Sequence, residues 1–200
     1  MKKQKNSKLN LKVKILSGSW KGRNISFLDK SDLRPTKNII KETLFNWIKE
    51  DIQDSICIDM FAGSGSLGFE AASRGAKKVY MIDNNLEITN HLRSQKDYIG
   101  AKNISIINLS AFDFLKKNLK DLANVIFLDP PFSLGIIEKV IKELSSSDNL
   151  ADKCKIYVEI PYNKKNIEFQ INTPINWELL KSKKSGDVAY LLFQHNISVI

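Results

Sequence analysis

Long apolar runs and cysteine are both scarce in this sequence. No stretch approaches the roughly 18 consecutive apolar residues that a membrane span requires, and the segment from Met1 to Lys14 has lysines without the apolar core of a secretory signal. Cys57 and Cys154 are the only 2 cysteines, and neither belongs to a C-x-x-C pair or has a histidine nearby in the sequence. We therefore expect a cytoplasmic protein with no membrane partner, two reduced cysteines and no metal site.

Acidic residues are equally scarce at the N-terminus, where none precedes Asp29 and lysines are crowded together. The whole chain has a formal net charge of +9. Lysines that neutralise phosphates are the main source of nucleic-acid affinity, so this clustering favours an RNA partner. A solvated tail, or a lysine-rich composition without functional meaning, is the competing interpretation. We predict that residues 1–10 form a flexible basic arm.

The 200 residues, 42% hydrophobic and 26% charged, suit a globular chain with its own core. Short apolar runs alternate with segments of helical spacing, which predicts an α/β fold with a mostly parallel sheet covered on both faces. The predicted strands are 55–58, 78–82, 104–108, 125–129 and 155–159. The predicted helices are 67–73, 86–98, 111–119 and 135–144. The end of the chain predicts an antiparallel hairpin of 177–182 and 188–194, joined through 183–187.

Residues 11–50 form a predicted N-terminal extension that faces RNA, and residues 51–200 a predicted catalytic domain. Within the extension, the alternating segments 11–15 and 23–27 predict a small β-hairpin. Trp20 lies near its tip, where it could stack on a base or simply pack. A helix is predicted from Thr36 to Lys49, with Thr36 as its N-cap.

A glycine-rich turn, Asp59 to Gly68, follows the first buried strand of the sheet and leads into a helix. Its three glycines allow a tight turn and close approach of a ligand, and the helix start offers free N–H groups. This pattern also fits a dinucleotide site, with Asp83 at the expected distance for a ribose-binding acid. Asp59 suits S-adenosylmethionine better than NAD, because a carboxylate there would face a pyrophosphate unfavourably but could hold a cationic amino group, directly or through water. A second feature, the motif from Asp129 to Phe132, favours the same cofactor, since a hydride-transfer enzyme has no evident need for it.

The remaining cofactor contacts are expected where neighbouring strands end. Asp83 would accept hydrogen bonds from both ribose hydroxyls. A later turn, Ser110-Ala111-Phe112, is expected beside the adenine, where Phe112 either stacks on the ring or belongs to the core. The full predicted set of cofactor-binding residues is Asp59, Phe61, Ala62, Gly63, Ser64, Gly65, Asp83, Asn84, Ser110, Ala111 and Phe112.

The second motif, Asp129-Pro130-Pro131-Phe132, follows a buried strand and is the predicted catalytic corner. An exocyclic amino group is a poor nucleophile because its lone pair is delocalised into the base. The Asp129 side chain and the Pro130 carbonyl could accept its hydrogens and localise that lone pair, with the prolines fixing the backbone. Phe132 would stack on the flipped base. The competing interpretation is a proline-rich turn that merely ends a strand.

The same chemistry suits an adenine or cytosine amino group in DNA or another RNA, and that alternative stays open. Carbon-5 pyrimidine methylation is disfavoured, because it needs a nucleophilic cysteine and neither cysteine lies near this motif. A non-catalytic RNA-binding module is the alternative from a different class of protein. In that case the basic arm and the hairpin would carry the function.

The chain resembles the bacterial RsmD-type methyltransferases from about Ile15 to Gln194. The specific stretches are Arg34-Pro35-Thr36 and Glu42-Thr43-Leu44-Phe45-Asn46. The likeness also includes Gly18 to Arg23, the turn from Asp59 to Gly68, Asp129-Pro130-Pro131-Phe132 and Ile156-Tyr157-Val158-Glu159. The resemblance implies a class I, Rossmann-like methyltransferase fold with a seven-stranded sheet. It also implies methyl transfer to guanine N2 of 16S ribosomal RNA within an assembled or assembling 30S particle. We expect the protein to be a monomer.

The resemblance departs from the family pattern at two places. Ser110 stands where the family usually has an acidic or amide residue, and a paired basic position before Glu42 is half kept, with Ile39 and Lys41. The residues expected to contact RNA lie in the extension. They are Lys12, Lys14, Trp20, Lys21, Arg23, Arg34, Thr36 and Lys41.

Overall fold

A computed structural model describes residues 11–30, 36–117, 119–162 and 171–197. The predicted basic arm and Arg34 lie outside these ranges. Nine strands are described: β1 Leu11–Lys14, β2 Asn24–Phe27, β3 Ile56–Asp59, β4 Lys78–Asp83, β5 Ile104–Asn108, β6 Ala123–Leu128, β7 Leu150–Pro161, β8 Trp177–Ser185 and β9 Val188–His195. The helices are α1 Asn38–Trp47, α2 Ser66–Ser73, α3 Leu86–Ile99, α4 Ala111–Leu115 and α5 Ile137–Ser145, with a 3-10 turn at Phe132–Leu134.

Seven strands form one sheet in the order β5-β4-β3-β6-β7-β9-β8, and β1 and β2 form a separate hairpin. The first five strands in this order, β5, β4, β3, β6 and β7, pair in parallel. Strand β9 lies between β7 and β8 and runs antiparallel to both. The central strand β3 is buried at all of its positions, which explains its uninterrupted apolar sequence. The predicted sheet and its closing hairpin are confirmed. No helix among the described residues has the length and apolarity needed to cross a bilayer.

One face of the sheet packs against the N-terminal extension as well as α2 and α3. Ile40, Leu44 and Phe45 of α1 join the same core as Phe127 and Tyr157 of the sheet. The opposite face packs mainly on α4 and α5. The extension therefore shares its hydrophobic core with the rest of the protein.

A buried carboxylate, Glu70 of α2, ties the hairpin to this face. It accepts hydrogen bonds from the backbone N–H groups of Leu16 at 2.8 Å and Ser17 at 3.0 Å, and its partner Arg74 donates at 2.7 Å. The Lys41 ammonium lies 3.6 Å from the same carboxylate and donates to the Lys14 carbonyl at 2.6 Å. Glu70 is fully buried, so its charge depends on these donors.

Three of the predicted boundaries that differ from the structure do so for a local reason. The helix expected over 111–119 ends at Leu115, because the Asn149 side chain accepts from the Leu119 N–H and donates to the Lys117 carbonyl. The helix expected at 135 begins at Ile137, after the 3-10 turn. The joining segment expected at 183–187 shrinks to a tight turn, since Ser185 already pairs with Val188. Lys183 and Lys184 therefore belong to strand β8.

Candidate active site at the carboxyl ends of the central strands

Three acidic side chains stand where neighbouring parallel strands end. Asp59 is the last residue of β3, Asp83 is the last of β4, and Asp129 directly follows β6. In the ladder, Asp59 pairs with Met81 on one side and with Phe127 on the other. Because these strands are adjacent and parallel, the glycine turn and the double-proline corner lie at the same edge of the sheet, where ligands of such folds bind.

The Asp83 carboxylate connects the glycine turn to the start of α3. The Gly63 N–H donates to Asp83 Oδ2 at 3.1 Å, and the Asn85 N–H donates to Oδ1 at 2.8 Å. Each oxygen keeps a further lone pair, so the carboxylate can still accept from ribose hydroxyls. Burial raises the pKa of Asp83, and these two hydrogen bonds oppose the shift.

The other two glycines have a packing role. Gly65 has φ +78°, and a Cβ there would lie 2.6 Å from the Phe69 ring. At Gly68 a Cβ would lie 2.7 Å from the Met81 side chain. Close approach to a ligand was expected for all three glycines, but at these two the neighbouring protein atoms are what exclude a side chain.

Asp59 anchors helix α2 to the end of β3. It is 2% exposed, and its Oδ2 accepts from the Gly68 N–H at 3.0 Å. Burial raises its pKa to about 7, although the hydrogen bond from Gly68 favours the charged form. Nearby, the Ser66 hydroxyl is buried and has no hydrogen-bond partner within the described ranges. A buried polar atom without a partner at a helix start suits a polar ligand group.

The structure gives weaker support to three of the predicted cofactor contacts than to Asp59 and Asp83. These three are Ser110, Asn84 and Phe112. The Ser110 hydroxyl accepts from the Asp113 N–H at 3.0 Å and donates to the Asp113 carboxylate at 2.6 Å, so it caps α4. Asn84 is exposed, and its neighbour Asn85 caps α3. Phe112 is half-buried against the core on the α4 side, which leaves part of its ring exposed.

The double-proline corner exposes one aromatic ring beside a largely buried carboxyl. Pro130 is buried, while Phe132 is 41% exposed at the start of the 3-10 turn. None of the turn or side-chain hydrogen bonds of the described residues uses the Pro130 carbonyl. Burial raises the pKa of Asp129 to about 7, against a hydrogen bond from Thr36. Its Oδ2 accepts from the Thr36 hydroxyl at 3.4 Å.

Glu159, near the end of β7, is a site residue that the sequence reasoning missed. Leu128 pairs with Val158, so the following residues Asp129 and Glu159 are cross-strand neighbours. Glu159 is 5% exposed and accepts from the Tyr157 hydroxyl at 2.7 Å. Burial, and then the charge of Asp129, raises its pKa to about 8. The available signal was a glutamate close to the end of a buried strand within the Ile156-Tyr157-Val158-Glu159 stretch.

A family profile described as "Conserved hypothetical protein 95" matches residues 13–194. The chain belongs to that family. It is 41% identical over 198 residues to the Haemophilus influenzae protein named "Ribosomal RNA small subunit methyltransferase D", which covers 98% of this chain and 100% of that protein. The Escherichia coli K12 protein of the same name is 38% identical over 183 residues, 91% of this chain and 89% of that one.

Solved structures place the family in the methyltransferase fold. The Escherichia coli protein yhhF superposes with a TM-score of 0.82 at 36% identity and covers 92% of this chain and 98% of that one. A Salinibacter ruber RNA methyltransferase in complex with S-adenosyl-L-homocysteine shares the fold, with a TM-score of 0.61 at 12% identity over 84% of this chain and 97% of that one. The predicted class I fold and the predicted family are confirmed.

The residues of the N-terminal hairpin that were predicted to contact RNA differ in how exposed they are. Lys12, Lys14 and Lys21 are exposed and stay candidates for RNA contact. Arg23 is exposed, and its guanidinium donates to the Ile99 carbonyl at 3.2 Å. Trp20 is half-buried and packs against the core, so stacking on RNA would use its remaining exposed edge.

Two predictions for the start of α1 are wrong. Lys41 is only 1% exposed and is held by Glu70 and the Lys14 carbonyl, so it cannot contact RNA from this position. Thr36 does not cap α1, whose N-cap is Lys37 with no side-chain hydrogen bond. Its hydroxyl instead reaches Asp129. The extension therefore contributes a residue to the double-proline corner.

Neither cysteine is suited to nucleophilic catalysis. Both are buried, and burial raises the pKa of the Cys57 thiol to about 12 and that of Cys154 even further. A thiol with such a pKa is almost entirely protonated at neutral pH and is a weak nucleophile. Within the described ranges, no three His, Cys, Asp or Glu side chains are grouped so that they could hold a metal ion.

Proposed function

We propose that this protein transfers a methyl group from S-adenosylmethionine to the N2 amino group of a guanine in small-subunit ribosomal RNA. The relatives that match this chain over nearly their whole length are named as methyltransferases of this RNA, which supports the reaction class and the substrate. The observation that carries the finer assignment is the corner itself. Asp129, the Pro130 carbonyl and the exposed Phe132 ring are held together beside the glycine turn.

The acidic edge of the sheet fits this cofactor. S-adenosylmethionine supplies an electrophilic methyl group on a sulfonium and also carries an ammonium group, so it brings two positive charges. Asp59, Asp129 and Glu159 all have a pKa raised mainly by burial, which means that the charged form of each is less favourable in the protein alone than in water. A nearby cation favours the charged form of such groups. Asp83 and the Ser66 hydroxyl would hold the ribose side and a polar group of the cofactor.

Asp129 has two tasks at the amino group. Its charged oxygen and the Pro130 carbonyl accept the two amino hydrogens, which localises the nitrogen lone pair on the side that faces the methyl group. S-adenosylmethionine would supply the methyl group, and its methyl–sulfur bond would break as the N–C bond forms, with S-adenosylhomocysteine as the leaving group. The nitrogen would become acidic in that step, and the Asp129 carboxylate would take its proton. Phe132 holds the base by stacking, so the reaction depends mostly on positioning.

The test is methyl transfer to small ribosomal subunits that lack this modification, with labelled S-adenosylmethionine, followed by nucleoside analysis. We expect N2-methylguanosine with the wild-type protein, and none with Asp129→Ala, although that variant should still bind the subunits. Methylated adenosine or cytidine would instead support amino methylation of another base. A variant that methylates normally without Asp129 would refute the proposed chemistry.

A further inference from the structure

The edge strand β8 displays lysines on the same face of the sheet as the catalytic corner. Side chains of paired residues point to the same face, and Lys183 pairs with Tyr190, which in turn pairs with Glu159. Asp129 neighbours Glu159 in this row. Lys183 is therefore three strand spacings, or about 14 Å, from Asp129 across the sheet.

Lys181 lies two residues back along β8 and pairs with Leu192, which belongs to the core that α1 covers. Lys181 and Lys183 are both exposed, and neither forms an ion pair with any described residue. We call Lys181 and Lys183 the β8 lysine row. Because β8 runs antiparallel to β9, the row extends toward the edge of the sheet that holds the active site.

A third lysine approaches this row from a different element. Lys37, at the start of α1, is exposed, and its ammonium would lie 3.8 Å from a Cβ added at Gly186 in the β8–β9 turn. The residue before it is Thr36, which contacts Asp129. Positive charge from α1 and from β8 thus converges on one flank of the catalytic corner.

Lysines on an edge strand also have a simpler role, because they discourage edge-to-edge pairing with another chain. That role does not require both side chains to share the face of the active site, and it does not involve Lys37. It also argues against a second copy of this chain as the occupant of the edge. Lysines that have no ion pair with the described part of the chain, and that converge beside a site acting on RNA, fit a phosphate backbone better.

The lysines of the N-terminal hairpin lie on the other flank. Their hairpin packs on α3, where the Ser26 N–H donates to Gln95 at 2.9 Å and the Ser26 carbonyl contacts His91 at 2.8 Å. Helix α3 covers β4 and β5, on the side of β6 opposite to β8. We propose that the β8 lysine row and Lys37 bind the phosphate backbone of the substrate RNA on one side of the target base, while the hairpin binds it on the other.

This inference depends on the proposed function, and binding measurements can separate the two. The probes are unmethylated small ribosomal subunits and protein-free 16S ribosomal RNA. The test variant is Lys181→Glu with Lys183→Glu. The matched control, Lys77→Glu with Lys102→Glu, changes the same charge at exposed positions near the amino ends of β4 and β5, the opposite edge of the sheet. The neutral variant Lys181→Gln with Lys183→Gln replaces the first pair if it folds poorly.

We expect the β8 variant to bind RNA about tenfold or more weakly and to reduce the slope of log affinity against log salt by about 1 to 2, since two phosphate contacts are lost. The control should change neither value comparably, and S-adenosylhomocysteine should bind all variants equally. Equal effects of the test and control variants, or no effect of either, would overturn the inference. So would a change in self-association by sedimentation without a change in RNA affinity. Failure of the wild-type protein to bind either RNA would instead refute the proposed function.

Discussion

The rate of methyl transfer should depend on pH near neutrality, because Asp129 is the proposed acceptor for the amino hydrogens. Burial raises the pKa of this carboxyl to about 7, whereas an ordinary aspartate has a pKa of 3.8. Below the raised value the carboxyl is protonated and accepts poorly. The rate should therefore fall about tenfold for each pH unit below it, so that at pH 6 about one-tenth of the plateau rate remains.

Thr36→Val provides the perturbation that tests this assignment. Valine keeps the shape of threonine but removes the hydroxyl that donates to Asp129 at 3.4 Å. This hydrogen bond favours the charged form of Asp129, so its loss should move the acid limb of the profile to higher pH. Because the bond is long, we expect a shift of about half a pH unit, equivalent to about 0.7 kcal/mol.

The assay is single-turnover methyl transfer between about pH 5.5 and 8.5 with saturating ribosomal subunits and with cofactor well below saturation, so that the profile reports the pKa values of the protein before the cofactor binds. Glu159→Gln serves as the matched control. The pKa of Glu159 is about 8, so its carboxyl is mostly neutral where Asp129 titrates, and the amide should leave the acid limb in place. A wild-type rate that stays constant down to pH 5.5, or an acid limb that moves downward in Thr36→Val, would refute the reasoning.

Three further variants test the cofactor side and the fold. Asp83→Asn should weaken S-adenosylhomocysteine binding by about tenfold, since one charge-assisted acceptor is lost, and should leave RNA affinity unchanged. An unaltered cofactor affinity in calorimetry would contradict this expectation. Glu70→Ala should lower the free energy of unfolding by about 3 to 5 kcal/mol in urea titrations, because Lys41 loses a buried counter-charge. A loss below about 1 kcal/mol would contradict this expectation. Gly65→Ala should cost more than about 1 kcal/mol, through its φ of +78° and contact with Phe69, and an unchanged melting temperature would argue against that clash.

The buried carboxyls also make stability depend on pH. The pKa of Asp59, Asp129 and Glu159 is raised in the folded protein to about 7, 7 and 8 respectively. Folding is then favoured by the protonated forms, so their contribution is fully present below the unfolded pKa near 4 and is lost as the pH rises through 7 to 8. The bound cofactor should offset this loss by supplying positive charge.

Local patterns in the sequence determined the fold class and the two motifs of the site. The uninterrupted apolar strand before Asp59, the glycine turn after it and the prolines after Asp129 are features of neighbouring residues along the chain. Because the strands of such a sheet run in the same direction, both motifs lie at the edge where the strands end. The closing hairpin was also predicted from alternation. Its turn was placed too early, because strand pairing up to Ser185 continues through polar residues.

Tertiary structure alone decided which distant residues meet. Glu159 became part of the site because β7 lies beside β6, and Thr36 reached Asp129 because α1 packs on that face. Lys41 resembled an RNA contact in the sequence, but the fully buried Glu70 holds it inside. Burial and cross-strand register depend on contacts far apart in the chain, and these also set the pKa of each carboxyl. Sequence periodicity carries no record of such contacts.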